Sequence, residues 1–421
     1  MSGAEERHAS WLELFFDLVV VVAVIQLAHR LAHPTWPDVA LFVVLYYAIW
    51  SVWTALTLYS NVRGERTRML SMLIGMFGIA VMAAAAPDVA REMGTGGTHE
   101  GWFIAAYIIS RTSASRSLQR AGAIMTAWPA AQLGAGLTPW IASSWVEGPW
   151  RYVLWGIGVL LDLGFSMARG RRPERMIEEL NEQIRRRLKR DRRLHVSRRP
   201  LPDPDHYAPA VLEPAHLGER LGLFVIIVLG EAVMQVVLAA SGQSWGPELG
   251  LAALAGFGLI VSLWWITLQY GLSAVPGATE RGLKAYIALP AHFAMTAGLT
   301  ATAAGLGVVA AEPGAHLHAG SGWVLGGGLA VYFAASAALG VAMRASRRWI
   351  WGWAVPSVFV PPIVAAVSGL LPGWLVVVLL LLVALWRVAY RHRGGPVTGT
   401  APDAGPGTAP DTAPAQHQGG G

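Results

Sequence analysis

Residues 11–29 read WLELFFDLVVVVAVIQLAH. Only Glu13, Asp17, Gln26 and His29 interrupt an otherwise apolar run. At 1.5 Å per residue, a helix of this length approaches the roughly 30 Å of a bilayer's hydrocarbon core. A membrane-spanning strand would instead alternate polar and apolar residues over about 10 positions. This stretch does not alternate, so it reads as a transmembrane helix. Its first span extends over 11–32, and similar runs follow at 38–59, 69–90, 101–119, 121–142, 150–168, 217–240, 248–270, 283–309, 322–343, 349–369 and 373–390. The expected fold class is all-α, a polytopic membrane helix bundle of about twelve transmembrane helices. Composition agrees: 54% of the 421 residues are hydrophobic and 14% charged, against roughly 25% charged in soluble domains.

The net charge of +6 does not call for a nucleic acid, because the arginines sit between apolar runs rather than on one face. With the N-terminus inside, twelve spans place 29 of the 32 basic residues on the inner side and leave Arg30, Arg91 and Arg151 outside. That asymmetry is the positive-inside pattern. It predicts a multi-pass protein of the cell (plasma) membrane with both termini cytoplasmic. The spans at 101–119 and 121–142 are the weakest, since the first contains Ser110, Arg111 and Ser113. Ten spans is the competing count. The N-terminus shows no A-x-A cleavage site and reads as having no signal peptide.

Four regions follow. Residues 1–168 form a first six-helix half, 169–215 a basic linker, 216–393 a second six-helix half and 394–421 a Gly/Pro/Thr/Ala tail expected to be disordered. From Pro173 to Leu194 the linker has early acids and late bases, which suits a helix dipole. It reads as a connecting cytoplasmic helix or as one drawn to anionic lipid headgroups. Trp53 and Tyr59 match Trp264 and Tyr270, and Phe15 and Gln26 match Phe224 and Gln235, at offsets near 210. These matches suggest two parallel six-helix repeats.

Ionisable groups inside spans are costly and mark candidate sites. Glu13 and Asp17 share a face of the first helix, and Asp17 lies about 9 Å in. The dipole of a helix N-terminus explains Glu13 well and Asp17 less well. Glu231 lies about 21 Å beyond Leu217 in the seventh span, past the midplane, with Gln235 one turn further on the same face. No cation in its own helix is near, so desolvation favours a protonated or cation-bound carboxyl; packing glue is the alternative. Glu219 and Arg220 are placed at the cytoplasmic mouth, as a gate or a simple pair. Asp162 has no basic neighbour in sequence, and His292 is a candidate partner for either it or Glu231. A helix-buried histidine is more commonly a satisfied packing residue. His29 and His33, with His316 and His318, would need to converge to bind zinc. With no cysteine in the chain, thiolate chemistry is excluded, and no metal site or cofactor is expected. Tryptophans 36, 145, 150, 349, 351, 374 and 386 fit interfacial belts, while Trp50, Trp53, Trp264 and Trp265 sit deeper. The G-x-x-x-G pairs Gly218–Gly222 and Gly322–Gly326 suggest close helix contacts.

ELFFDLVVVVAVIQLAH (Glu13–His29) resembles the signature ELFFDLVFVxAIxQL of the bacterial low-temperature-requirement A family. HLGERLGLFVIIVLGEAVMQ (His216–Gln235) resembles its second hallmark, HxxERFGLFTIIVLGES. Trp50 and Trp53, followed by Asn61 and Arg68, agree with the pattern between them. Ala232 departs from it where Ser is usual, and Gln269 where an acid is usual. The resemblance implies a multi-pass bacterial membrane protein and no particular activity. More faintly, FFDLVVVVAV is similar to the first-helix motif FSDxVFAIAIT of TMEM-type potassium channels.

Two functions are expected from different classes. One is a proton- or cation-coupled transporter or channel for a small solute or ion, with Asp17 and Glu231 at a central site. The other is a stress-related or scaffold membrane protein whose acids only stabilise packing. An enzyme is not expected, since no nucleophile–base pair appears. Transport requires a polar cavity reaching Glu231 from one side.

Overall fold

A chain in hydrocarbon must satisfy every backbone N–H and C=O within the protein, so long apolar runs become helices. The computed structural model describes residues 9–32, 34–91, 98–120, 123–179, 208–269 and 284–392, with positions 181, 182, 186 and 271. Its helices are α1 (Trp11–His29), α2 (Trp36–Arg63), α3 (Met69–Arg91), α4 (Thr98–Arg120), the short α5 (Ala130–Leu133) and α6 (Leu137–Ala142), α7 (Pro149–Arg169), α8 (Pro214–Ser241), α9 (Pro247–Trp264), α10 (Ala285–Ala311), α11 (Ala319–Ala342), α12 (Arg347–Leu370) and α13 (Gly373–His392). Prolines open α7, α8 and α9, where a missing N–H costs nothing. Lipid covers stripes such as Trp11, Leu14, Phe15, Leu18 and Val22 on α1, all exposed and spaced as one helical face.

Ten of these helices are long and apolar enough to cross a membrane. The expectation of twelve such helices is corrected at the fourth and fifth spans. α4 has the length, 23 residues, but carries Glu100, Arg111, Arg116 and Arg120. Residues 123–142 do not form a membrane-long helix. Pro129 precedes α5, Gly134 ends it with φ +57°, and Pro139 falls in the first turn of α6. Arg151 and Tyr152, at the start of α7, both bind Glu100 at the start of α4. The two helices therefore run the same way, and the broken segment covers the distance back between them.

Its backbone groups find side-chain partners. Arg111 Nη2 donates to Ala130 O (2.7 Å), Ser115 Oγ to Gln132 O (2.6 Å), Met125 N to Gln132 Oε1 (2.8 Å), Ala130 N to Ser166 Oγ (2.9 Å) and Gly136 N to Asp162 Oδ1 (2.8 Å). Non-helical backbone survives at membrane depth only when protein surrounds it in this way. Ala123 and Ile124 also pair in parallel with Ala208 and Pro209, which fixes the approach to α8 beside the end of α4.

α2 and α10 form the enclosed centre. α1 lies against α3 and α3 against α4; α8 lies against α10 and α10 against α11. Two of the residue pairs expected to mark a repeat hold unlike places, with Phe15 and Trp264 exposed and Phe224 and Trp53 buried, while Gln26 and Gln235 are both half-buried. Tyr270, His33, most of the linker beyond Glu179, Arg281 and the 394–421 tail lie outside the described residues. Of the belt tryptophans, Trp36, Trp145, Trp150 and Trp351 are exposed, but Trp349 turns inward. With Trp353 it flanks the buried Arg387 guanidinium, whose carbon sits 3.7 Å from the Trp353 ring centre and 5.9 Å from that of Trp349. A cation over two indole faces gains from the negative potential of the rings. Of the G-x-x-x-G pairs, Gly322–Gly326 packs tightly on α12, whereas Gly218 has open space around it.

A Cβ at Gly136 would come within 2.3 Å of Gly158 O and 2.5 Å of Asp162 Oδ1. Gly136→Ala should therefore lower the melting temperature in detergent, at a cost of about 1–3 kcal/mol typical of overpacking. Gly156→Ala, with nothing within 4 Å, should leave it unchanged. Equal melting of both variants would remove the claim that this close contact holds the broken segment.

Candidate functional site

The polar groups of the core lie in layers along the bundle, the first of them at the basic end, which carries Arg63, Arg120, Arg169 and Arg347. In the outermost layer, Ser10 caps α1. Ser10 N and Oγ donate to Glu13 Oε2 at 2.8 and 2.9 Å, and Glu13 N donates back to Ser10 Oγ at 3.4 Å. This capping box explains Glu13 as a helix-start acid, and the structure adds a second role. Its other oxygen faces His216 Nε2 at 3.4 Å. Asn61 Nδ2 donates to Glu213 O (3.0 Å), and Asn61 Oδ1 accepts from Glu213 N (2.9 Å), which fixes the orientation of the amide. The same Nδ2 stands 3.0 Å from His216 Nδ1. That ring nitrogen must accept, so the ring proton sits on Nε2, towards Glu13. The ends of α1, α2 and α8 are joined here.

One turn deeper, Arg220 of α8 grips Asp17 of α1 with two bonds, Nη1 to Oδ2 at 2.6 Å and Nη2 to Oδ1 at 2.8 Å. Trp53 Nε1 of α2 adds a third at 2.9 Å. Asp17, Arg220 and Trp53 are all buried. Two expectations are corrected. Arg220 is not a mouth residue paired with Glu219: α8 begins at Pro214 rather than Leu217, so Arg220 sits in its second turn and points inward. Glu219 is half-buried on a different face. Asp17 is no solitary acid, because a bidentate guanidinium takes both its oxygens.

His292 of α10 joins this layer. Its ring stacks on Trp53, with centres 5.7 Å apart and planes at 19°. Trp50 Nε1 donates to its Nδ1 at 3.1 Å, so Nε2, 3.1 Å from Leu221 O, carries the proton. Both nitrogens are satisfied in a neutral ring. His292 partners neither Asp162 nor Glu231 and serves as packing between α2, α8 and α10.

Asp162 of α7 has a partner that sequence separation hides. Arg111 Nη2 donates to its Oδ2 at 3.0 Å, and both side chains are buried. The hydroxyls of Tyr47 and Tyr107 crowd the pair, yet Arg111 Nε and Nη1 close no hydrogen bond. An arginine within a span demands a compensating acid. Matching Arg111 to Asp162, the buried acid without a sequence neighbour, was the available signal. His216 and Asn61 had no such signal, since each is unremarkable alone.

Glu231 lies eleven residues beyond Arg220 on α8, about 16 Å along the axis. It therefore does not share a site with Asp17. Gln235 Nε2 donates to Glu231 Oε1 at 2.5 Å, while the buried Oε2 has no hydrogen-bond partner. Gln235 also lines a cavity of 530 Å³ between α1, α8 and α10 at the end opposite the basic one. Ala28, Ala304 and Gly307 form part of its wall, with His29, Glu312, His316 and His318 among its lining at the helix ends. No group of three or more metal-binding side chains converges among the described residues. Gln26 is half-buried on α1 and is not part of the lining.

A family model described as bacterial low temperature requirement A protein (LtrA) matches residues 8–385. An uncharacterized protein of Rhizobium meliloti (strain 1021) is 27% identical over 341 residues, covering 74% of this chain and 72% of the relative. No solved structure matches.

Breaking a buried ion pair leaves one charge desolvated and unmatched, at a cost of about 3–5 kcal/mol, whereas replacing both partners by apolar groups is often neutral. Asp17→Ala and Arg220→Ala should each melt well below the parent in detergent, and Asp17→Leu combined with Arg220→Met should recover most of the loss. Simple addition of the two losses in the double variant would show that the residues act apart.

Proposed function

The chain belongs to the bacterial low temperature requirement A family, and we propose that this multi-pass membrane protein moves a proton, a small cation or a cationic solute across the bilayer through the cavity that Gln235 lines, with Glu231 behind that glutamine. One observation carries the reading. Among the described residues the single hydrogen bond of Glu231 comes from Gln235, four residues away on the same helix, so it ties no two helices together. Packing glue requires a donor on another helix. A buried carboxylate oxygen with no hydrogen-bond partner among the described residues, on a side chain bonded to a residue of the cavity lining, suits an acceptor for an incoming cation or proton instead.

Nearer the basic end, Asp17–Arg220 and Glu13–His216 close the path between α1, α2 and α8. The arrangement therefore resembles a permease open on one face. A scaffold reading suits those lower layers, whose groups are paired, better than it suits Glu231.

The reading extends to topology. The chain crosses twelve times, with the broken segment 121–148 as the fifth crossing, and the basic end faces the cytoplasm of a plasma membrane. The recurring order of neighbours, α1 on α3 on α4 and α8 on α10 on α11, supports two repeats at the level of whole helices.

Two measurements test this. In liposomes, Glu231→Gln should lose at least about tenfold of the wild-type proton or cation flux while keeping its melting temperature, since the hydrogen bond of Glu231 stays within its own helix and a glutamine keeps its shape. Wild-type flux in that variant would sink the mechanism. Because the parent has no cysteine, Glu147→Cys should react with an impermeant thiol reagent from outside intact cells, and Gln119→Cys should not. Labelling of both from one side would restore ten crossings.

A further inference from the structure

A second polar site lies away from the cavity just described. The last turns of α4 and the broken segment enclose a cleft of 280 Å³, lined by Arg111, Thr112, Arg116 and Gln119 on one side and Gln132 and Thr138 on the other. Among the described residues no acidic side chain lines it. Arg111 forms its buried floor, 3% exposed, with Asp162 already neutralised on its far side and Nε and Nη1 without hydrogen bonds. Arg116 is exposed and makes no ion pair among the described residues. The local charge at the cleft is thus one arginine in excess.

Its place along the helix says what such a charge meets. Arg116 lies four residues before the end of α4, about 6 Å from it, which is headgroup depth. Towards the bilayer centre, Ile109 on α4 is 57% exposed and Ile141 at the edge of the cleft 39% exposed. The face therefore runs from apolar to cationic along the membrane normal, matching an acyl chain followed by a phosphate. The volume suits a phosphate with its glycerol, not a whole lipid.

We propose that this cleft binds the phosphate of an anionic phospholipid, with Arg116 as the principal contact, Gln119 and Thr138 as hydrogen-bond donors, and the chains lying along Ile109 and Ile141. A bound headgroup there braces the broken segment against α4, where a continuous helix would have braced itself.

The full-length protein in nanodiscs tests the site. Arg116 holds no structural partner, so Arg116→Gln should keep the fold, confirmed by an unchanged melting temperature in detergent without lipid. Native mass spectrometry and melting with added phosphatidylglycerol should show binding about five- to tenfold weaker in Arg116→Gln, the size expected when one basic residue near the surface is lost. Arg175→Gln, in the linker, should bind as the parent does. Stabilisation by inorganic phosphate alone, dependent on Arg116, would assign the site to a free phosphate and overturn the lipid source. Equal phosphatidylglycerol binding by parent and Arg116→Gln, or no response to either phosphate, would overturn the site itself.

Discussion

The bidentate pair between Asp17 and Arg220 is the constraint on which the rest of the bundle depends. Two opposite charges sit buried inside the protein, and neither can be left alone there. The pair fixes α1 against α8, and Trp53 and His292 extend the same bonded layer into α2 and α10. Four helices drawn from both halves of the chain are thereby set in register at one level. The capping network of Ser10, Glu13, His216 and Asn61 sets three of them again one turn outward. Towards the other end these bonded layers give way to the cavity, whose lining mixes small apolar residues such as Ala28, Ala304 and Gly307 with polar ones such as His29, Gln235 and Glu312. Rigidity is concentrated at the basic end, and open space at the opposite one.

A second ion pair solves a different problem. The segment between α4 and α7 cannot be a helix through Pro129, Gly134 and Pro139, so its peptide groups need partners from elsewhere. Arg111 and Asp162 supply them while neutralising each other: one takes Ala130 O, the other Gly136 N. A charged pair is well suited to this task, because each member has more bonding capacity than its partner consumes. The contact between Gly136 and Gly158 brings the backbone close enough for the bond to form.

Much of this was legible in the sequence, and the failures have physical causes. Apolar run lengths locate the long helices. Hydropathy alone cannot separate a helix from a buried irregular segment, because both are apolar; the prolines and glycines of 121–142 carried that information. Asp17 and Asp162 stand out as buried acids, yet their partners lie far off in sequence on other helices. Arg220 reads as a surface residue if its helix begins at Leu217, and as an interior one when it begins at Pro214. Three residues change its chemistry. Arg111, counted as a topology signal, is an interior cation. The layered arrangement arises from which helix faces meet, which no single stretch encodes.

The separation of Asp17 from Arg220, 203 positions, has a consequence for how the protein is made. Ribosomes add about 5–20 residues per second, so α1 reaches the membrane on the order of ten to forty seconds before its counter-charge exists. Until then its carboxyl must stay protonated or keep water beside it. The Arg111–Asp162 pair, 51 positions apart, closes long before. The order of synthesis thus leaves the amino-terminal half with its own ion pair complete and its first helix waiting, to be locked in place only when α8 arrives.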